Sequence, residues 1–132
     1  MEAVKVTSNT GKEKYKTLIS AGNHQIIADE PFDENGQDLG MKPTELLAGA
    51  LASCTSITLR MYADRKNWDL ENIYVEVSFI RDATKNTASF TRNISYTGNL
   101  EDAQRDRLLA IANACPVHKV LSGTIVIETV LV

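Results

Sequence analysis

Cysteine is scarce in this sequence, with two in 132 residues, and so are proline (three), glycine (seven) and aromatic side chains (6%). Two thiols cannot staple a small secreted scaffold, which draws on several bridges, so the chain is expected in the cytoplasm with both cysteines reduced. Without proline or glycine enrichment, fibrous and low-complexity classes fall away. No charge of one sign dominates. Fourteen Lys and Arg against seventeen Asp and Glu leave a net charge of −3, spread along the chain, with no basic footprint for nucleic acid or an anionic membrane. The opening MEAVKVTSNTGKEKY has no apolar signal core. The longest uncharged apolar-rich run, Leu46 to Leu59, falls short of the roughly 20 residues that a membrane crossing needs, and is expected to be a buried core helix. What is there, 43% hydrophobic and 23% charged residues, suits a single domain over residues 1–132 with one hydrophobic core.

Three short alternating stretches, AVKVTS, KYKTLIS and HQIIAD, are separated by NTGK and AGN, and their period of two predicts an antiparallel β-meander. EPFDENGQDLGMK, residues 30–42, has no periodicity and is the one long loop, a solvated connector or a lid over a nearby pocket. It is not a calcium loop: counted from Asp33, Asp38 occupies the sixth position and Thr44 the twelfth, where glycine and glutamate are required. Pro43 and Glu45 suit a first helical turn, and the helix continues without a breaker to about Lys66. Ala48, Gly49, Ala50, Ala52 and Ser53 make its first half slim, and its apolar residues ask for cover on more than one side, which a second subunit can supply.

NIYVEVSFIRD and TASFTRNISYTG flank ATKN as a hairpin, with Val75, Val77 and Phe79 on one face. Asn99 is expected to cap a second helix whose stripe holds Leu100, Leu108, Ile111, Ala112 and Cys115. Pro116 interrupts that helix, one more turn ends at Gly123, and TIVIETVLV is expected as a closing strand. The expected order is βββ-α-ββ-αα-β, an α+β plan with the helices segregated from antiparallel strands.

Cys54 has Leu47, Ala50, Leu51, Ile57, Thr58 and Met61 as helical neighbours, and its thiol is expected to face the core. Cys115 shares its stripe with Leu108, Ile111 and Ala112. Buried free cysteines are commonly plain small hydrophobes; two of them meeting across a helix interface make a dithiol. Cys54 lies too deep in its helix for the macrodipole to activate it, so it needs a cation or a donor nearby, whereas Cys115 precedes Pro116 and opens the final turn. His118, three residues on, can tune Cys115. A zinc site of Cys54, Cys115, His118 and His24 lacks the usual cysteine knuckle, and neither a metal nor another cofactor is expected. Arg60 and Arg65 are expected to be solvated, and Trp68 to anchor the helix-to-strand corner.

The segments HQIIADEP, GMKPTELLAGALASCTSITLRMYADRKNW and ACPVHKVL closely resemble the OsmC/Ohr family, the osmotically inducible protein C and organic hydroperoxide resistance proteins, and within it the OsmC-like branch carrying ADEP and CPVH. The resemblance implies a six-stranded α+β subunit intertwined with a second in a homodimer, and thiol-dependent reduction of organic hydroperoxides. It further implies that Cys54 is the peroxidatic thiolate, forming a sulfenic acid, that Cys115 resolves it as a disulfide, and that a dithiol or a thioredoxin-type partner restores the enzyme. The apolar surroundings of Cys54 suit an alkyl or fatty-acid hydroperoxide. In the family an arginine from the N-terminal strand region holds the thiolate, with a glutamate directly after the helix proline. Here no arginine precedes Arg60, Lys12, Lys14 and Lys16 are the basic residues of that region, Thr44 follows Pro43, and Glu45 comes one position later. Thr44 and Glu45 are therefore supporting candidates at most. The competing reading is a dimeric redox sensor or binder of an apolar ligand that does not turn over.

Overall fold

In the computed structural model, which describes residues 2–132, the chain divides into two compact units, one ending at Leu47 and the other beginning at Ala48. The first unit is built on a three-stranded antiparallel sheet of β1 (Thr7–Thr10), β2 (Thr17–Ala21) and β3 (His24–Ala28). The β2–β3 connection is a two-residue turn at Gly22 and Asn23, where Gly22 takes φ 57°, a left-handed conformation that glycine adopts without a Cβ clash. Residues 30–42 follow, with one turn of 3-10 helix at Phe32–Glu34.

This loop is tied to its own unit by hydrogen bonds. Asp29 is buried, and its carboxylate accepts the backbone N–H groups of Tyr15 at 2.9 Å, Glu30 at 2.7 Å and Leu39 at 3.2 Å. The loop returns to β3 through Asp29 N–H to the Met41 carbonyl at 3.2 Å. It passes so close to its own start that a Cβ on Gly40 would overlap the Ile27 carbonyl.

The second unit holds most of α1 (Pro43–Lys66), then β4 (Asp69–Asp82), β5 (Thr87–Asn99), α2 (Asp102–Ala112) and α3 (Pro116–Leu121). β4 and β5 pair antiparallel in one long hairpin, and the predicted ATKN turn joins them. Along α1 the buried side chains are Leu51, Thr55, Leu59 and Ala63, one every fourth residue, which makes a single stripe. Leu59, Ala63, Leu70, Leu108 and Ala112 form the core, and Ile73, Ile94 and Tyr96 of the hairpin pack against it with Trp68 at the corner. Alpha helix 1 has the length and the mean hydropathy, 1.2 over its most apolar window, of a membrane-crossing helix. Its stripe in this core and the charged Arg60, Asp64, Arg65 and Lys66 of its last two turns mark it as a core helix.

The architecture is the expected α+β plan, with two antiparallel sheets and three helices, but four details differ. The closing strand does not form: TIVIETVLV pairs with no strand among the described residues, and Ile125, Val126, Ile127, Val130 and Leu131 are exposed. Alternation alone cannot make a strand, because the backbone groups also need a ladder partner. β1 starts at Thr7, later than AVKVTS predicts, leaving Val4 and Val6 exposed. Glu101, not Asn99, caps α2, since Asn99 is still paired with Asp69 in the hairpin; the Glu101 N–H is taken by the Gln104 side chain at 2.8 Å. Arg60 is not a solvated bystander: it reaches the carbonyls of Leu70 at 2.6 Å and Glu71 at 3.1 Å and pairs with Asp64, bracing the turn into β4.

Candidate active site

Cys115 is fully buried at the N-cap of α3, where Pro116 starts the helix without needing an N–H partner. The His118 N–H donates to its Sγ at 3.4 Å. From α1, Cys54 is one of the side chains that lower the pKa of this thiol, and Thr55 Oγ1 lies 3.8 Å from its sulfur. Both cysteines are free thiols. Cys54 is not the core thiol expected. It sits beside the buried stripe and is half-buried; among its helical neighbours only Leu51 is buried, while Ile57 and Met61 are 53% and 61% exposed.

The cation that the sequence did not offer near its N-terminus comes from β5. Arg92 Nη1 donates to Thr55 Oγ1 at 3.0 Å and lies 4.0 Å from Cys115 Sγ, while Nη2 donates to Asn113 Oδ1 at 2.8 Å and contacts His118 Nδ1 at 3.3 Å. A guanidinium only donates, so Nδ1 is the acceptor there. The Thr55 hydroxyl has one proton, and its 2.7 Å contact with the Leu51 carbonyl claims it over the longer contact with sulfur. Thr55 thus serves mainly as the acceptor that aims Arg92. Burial pushes the Cys115 thiol up, but the His118 N–H, then Cys54, Thr55 and the Arg92 charge outweigh it, and its pKa is lowered from the ordinary 9.0. Arg92 and His118 also line a cleft of about 210 Å³ walled by Leu51, Phe90 and Leu121.

Arg92 was the residue missed, and a signal for it exists. Phe90, Arg92, Ile94 and Tyr96 alternate on the half-buried face of β5, so a charge occupies an inward position in an otherwise apolar row. His118 does tune Cys115, through its backbone N–H and not through its ring, which is turned to Arg92. The other candidates belong to the first unit. Thr44 is exposed in the first unit, and the Glu45 carboxylate accepts the Lys42 N–H at 3.0 Å, closing the first turn of α1. Lys12, Lys14 and Lys16 are exposed in that unit. Among the described residues, no group of three or more His, Cys, Asp or Glu side chains is arranged to hold a metal ion.

Fold and site together define an α+β protein with two free cysteines, one on α1 and one at the start of α3. The family model described as OsmC-like protein matches residues 36–130, and the chain belongs to the OsmC family. It is 25% identical over 119 residues to the uncharacterized protein YmaD of Bacillus subtilis (strain 168), covering 83% of this chain and 79% of that one. Among solved structures it is similar to the OsmC-like protein of Mycoplasma pneumoniae, with a TM-score of 0.78 at 16% identity over 92% of this chain and 89% of that chain. It also shares the fold of the organic hydroperoxide resistance protein OhrB of Bacillus subtilis, with a TM-score of 0.61 at 21% identity over 92% of each chain.

Proposed function

We propose that this protein is a cytoplasmic, cysteine-based peroxidase that reduces organic hydroperoxides and so serves oxidative-stress defence. The observation that carries the reading is the buried Cys115 thiol, which accepts the His118 N–H with Arg92 beside it, together with a half-buried Cys54 on α1, whose Thr55 touches the Cys115 sulfur. Cys54 is the reachable sulfur, since Cys115 is fully buried. Its sulfur attacks the terminal oxygen of R–O–O–H; an S–O bond forms, the O–O bond breaks, and the alcohol leaves, with Cys54 oxidised to a sulfenic acid. The Cys115 sulfur then attacks the Cys54 sulfur, forming the disulfide and releasing water, and an external dithiol or a thioredoxin-type protein returns two electrons. The exposed Ile57 and Met61 beside Cys54 favour an alkyl chain over hydrogen peroxide. Family membership, which includes a relative named for organic hydroperoxide resistance, supports the reaction class.

The working form is a homodimer. Ile57 and Met61 on α1, and the alternating Ile125 and Ile127 of the tail, are apolar positions left exposed in one chain, which a second copy covers.

The test mixes reduced protein with cumene hydroperoxide or with hydrogen peroxide and follows free thiols and intact mass. Wild type loses both thiols faster with the organic peroxide, Cys115→Ser accumulates a sulfenic acid at Cys54, and Cys54→Ser stays reduced. A Cys54 that remains a thiol through prolonged millimolar peroxide overturns the reading.

A further inference from the structure

The two sulfurs differ in what can reach them. Cys54 is half-buried on α1, whereas Cys115 is fully buried at the start of α3. The buried one is also equipped to carry charge: its sulfur accepts the His118 N–H at 3.4 Å and has Arg92 Nη1 at 4.0 Å. Among the described residues no carboxylate hydrogen-bonds Arg92, whose partners are Thr55, Asn113, His118 and the sulfur, so its charge is not neutralised by another ion pair. In thiol–disulfide exchange the attacked sulfur must be reachable, and the departing sulfur leaves faster the better its negative charge is held. Both conditions select the same direction here. Resting on the peroxidase reading above, we propose that reduction of the Cys54–Cys115 disulfide is directional: the reductant thiolate attacks Cys54, Cys115 departs, and the mixed disulfide forms on Cys54 alone.

In the first step a thiolate of the external dithiol bonds to the Cys54 sulfur and the Cys54–Cys115 bond breaks, with its electron pair going to Cys115. That sulfur arrives as a thiolate between the His118 N–H and the Arg92 guanidinium, the surroundings it has in the reduced protein. In the second step the other thiolate of the dithiol attacks its own mixed disulfide. The bond to Cys54 breaks, Cys54 takes a proton from solvent, and the dithiol leaves as a disulfide, having given two electrons to the protein. Arg92 thereby acts on rate and equilibrium together, because a charge held at Cys115 speeds its departure and stabilises the reduced state, which makes the disulfide the stronger oxidant.

The test forms the disulfide with diamide, so that no peroxide is needed, and adds 2-mercaptoethanol for a short time. Acid quenching stops exchange, and peptic digestion with mass spectrometry locates the adduct. It is expected on the Cys54 peptide; an adduct on the Cys115 peptide, or on both, overturns the proposal. A second measurement reads Arg92. Arg92→Met should slow reduction by dithiothreitol about three- to tenfold and shift the equilibrium with a dithiothreitol redox buffer about tenfold toward the disulfide, or about 30 mV. Arg92→Lys, which keeps the charge but not the fork, should fall between. A merely structural role has the opposite sign, since a loosened site exposes its sulfurs and is reduced faster; Arg92→Met reduced as fast as wild type or faster overturns the role of Arg92. If diamide forms no Cys54–Cys115 disulfide, the proposal and the peroxidase reading fall together. Wild type that is reduced through Cys54 but leaves cumene hydroperoxide untouched overturns the peroxidase reading alone.

Discussion

Asp29 and Cys115 are both buried acids held toward their charged forms, and they are held in opposite ways. Around Asp29 the donors are backbone N–H groups, from Tyr15, Glu30 and Leu39, which cannot move unless the chain moves. Around Cys115 only the His118 donor is backbone; Arg92, Cys54 and Thr55 approach with side chains from two further elements, and one of them is a second thiol. A charge fixed by backbone shapes a loop. A charge fixed by side chains can shift as they move. The ADEP segment thus holds its acid by backbone groups and the CPVH segment holds its thiol largely by side chains.

The largest test exchanges their roles. Cys54→Ser should abolish peroxide-driven thiol loss with little change in Tm, whereas Asp29→Ala should lower Tm clearly and leave the oxidation rate of the protein that remains folded within about twofold, since the hydrogen-bond partners of Asp29 are not those of Cys115. An Asp29→Ala variant that folds yet no longer oxidises would break the distinction. Next in size is Gly40→Ala, which forces a Cβ against the Ile27 carbonyl; urea unfolding should show a loss of about 1–3 kcal/mol, with Cys54 chemistry unchanged. Smaller still is Thr55→Val. It keeps the shape of a fully buried side chain but removes the acceptor that aims Arg92, at about 1 kcal/mol, and it should move the Cys115 ionisation to higher pH. A stability loss without that movement would make Thr55 a packing residue only.

Much of this was legible in the sequence, for a physical reason. The long helix, the hairpin about ATKN and the three short strands each satisfy their backbone groups within themselves or with a chain neighbour, so local pattern is enough to specify them. The misses share the opposite property. TIVIETVLV has a strand's pattern and no strand to pair with. Asn99 has the chemistry of a cap but is claimed by its pairing with Asp69. Cys54 has apolar neighbours, yet the burial stripe falls on Leu51, Thr55 and Leu59 beside it, because which side of an apolar helix is covered depends on what lies against it. Arg92 was hidden by sequence distance, 23 residues from Cys115, though its inward place in β5 betrays it.

The pH dependence of stability offers the finest division between the two acids. Burial pushes the Asp29 carboxyl up, and the N–H groups of Tyr15, Glu30, Leu39 and Gln37 more than offset it, leaving the folded pKa below the ordinary 3.8. A depressed folded pKa means that the unfolded chain binds the proton more readily, so the contribution is complete above the unfolded value and is lost as the pH falls from there through the folded one. The same sign applies to Cys115, whose folded pKa lies below 9.0, but its window sits far higher: stability should rise with pH on the approach to 9 and level off above it. Chemical unfolding across the pH range should therefore show two separate slopes. Asp29→Asn should flatten the acid slope alone, and Cys115→Ser the alkaline one alone. Arg92→Met should act on the alkaline slope like Cys115→Ser, because the guanidinium belongs to that thiol's cluster and to no hydrogen bond of Asp29. If any of these three variants flattened both slopes, the two acids would be titrating as one system, and the contrast between a backbone-held charge and a side-chain-held charge would fail.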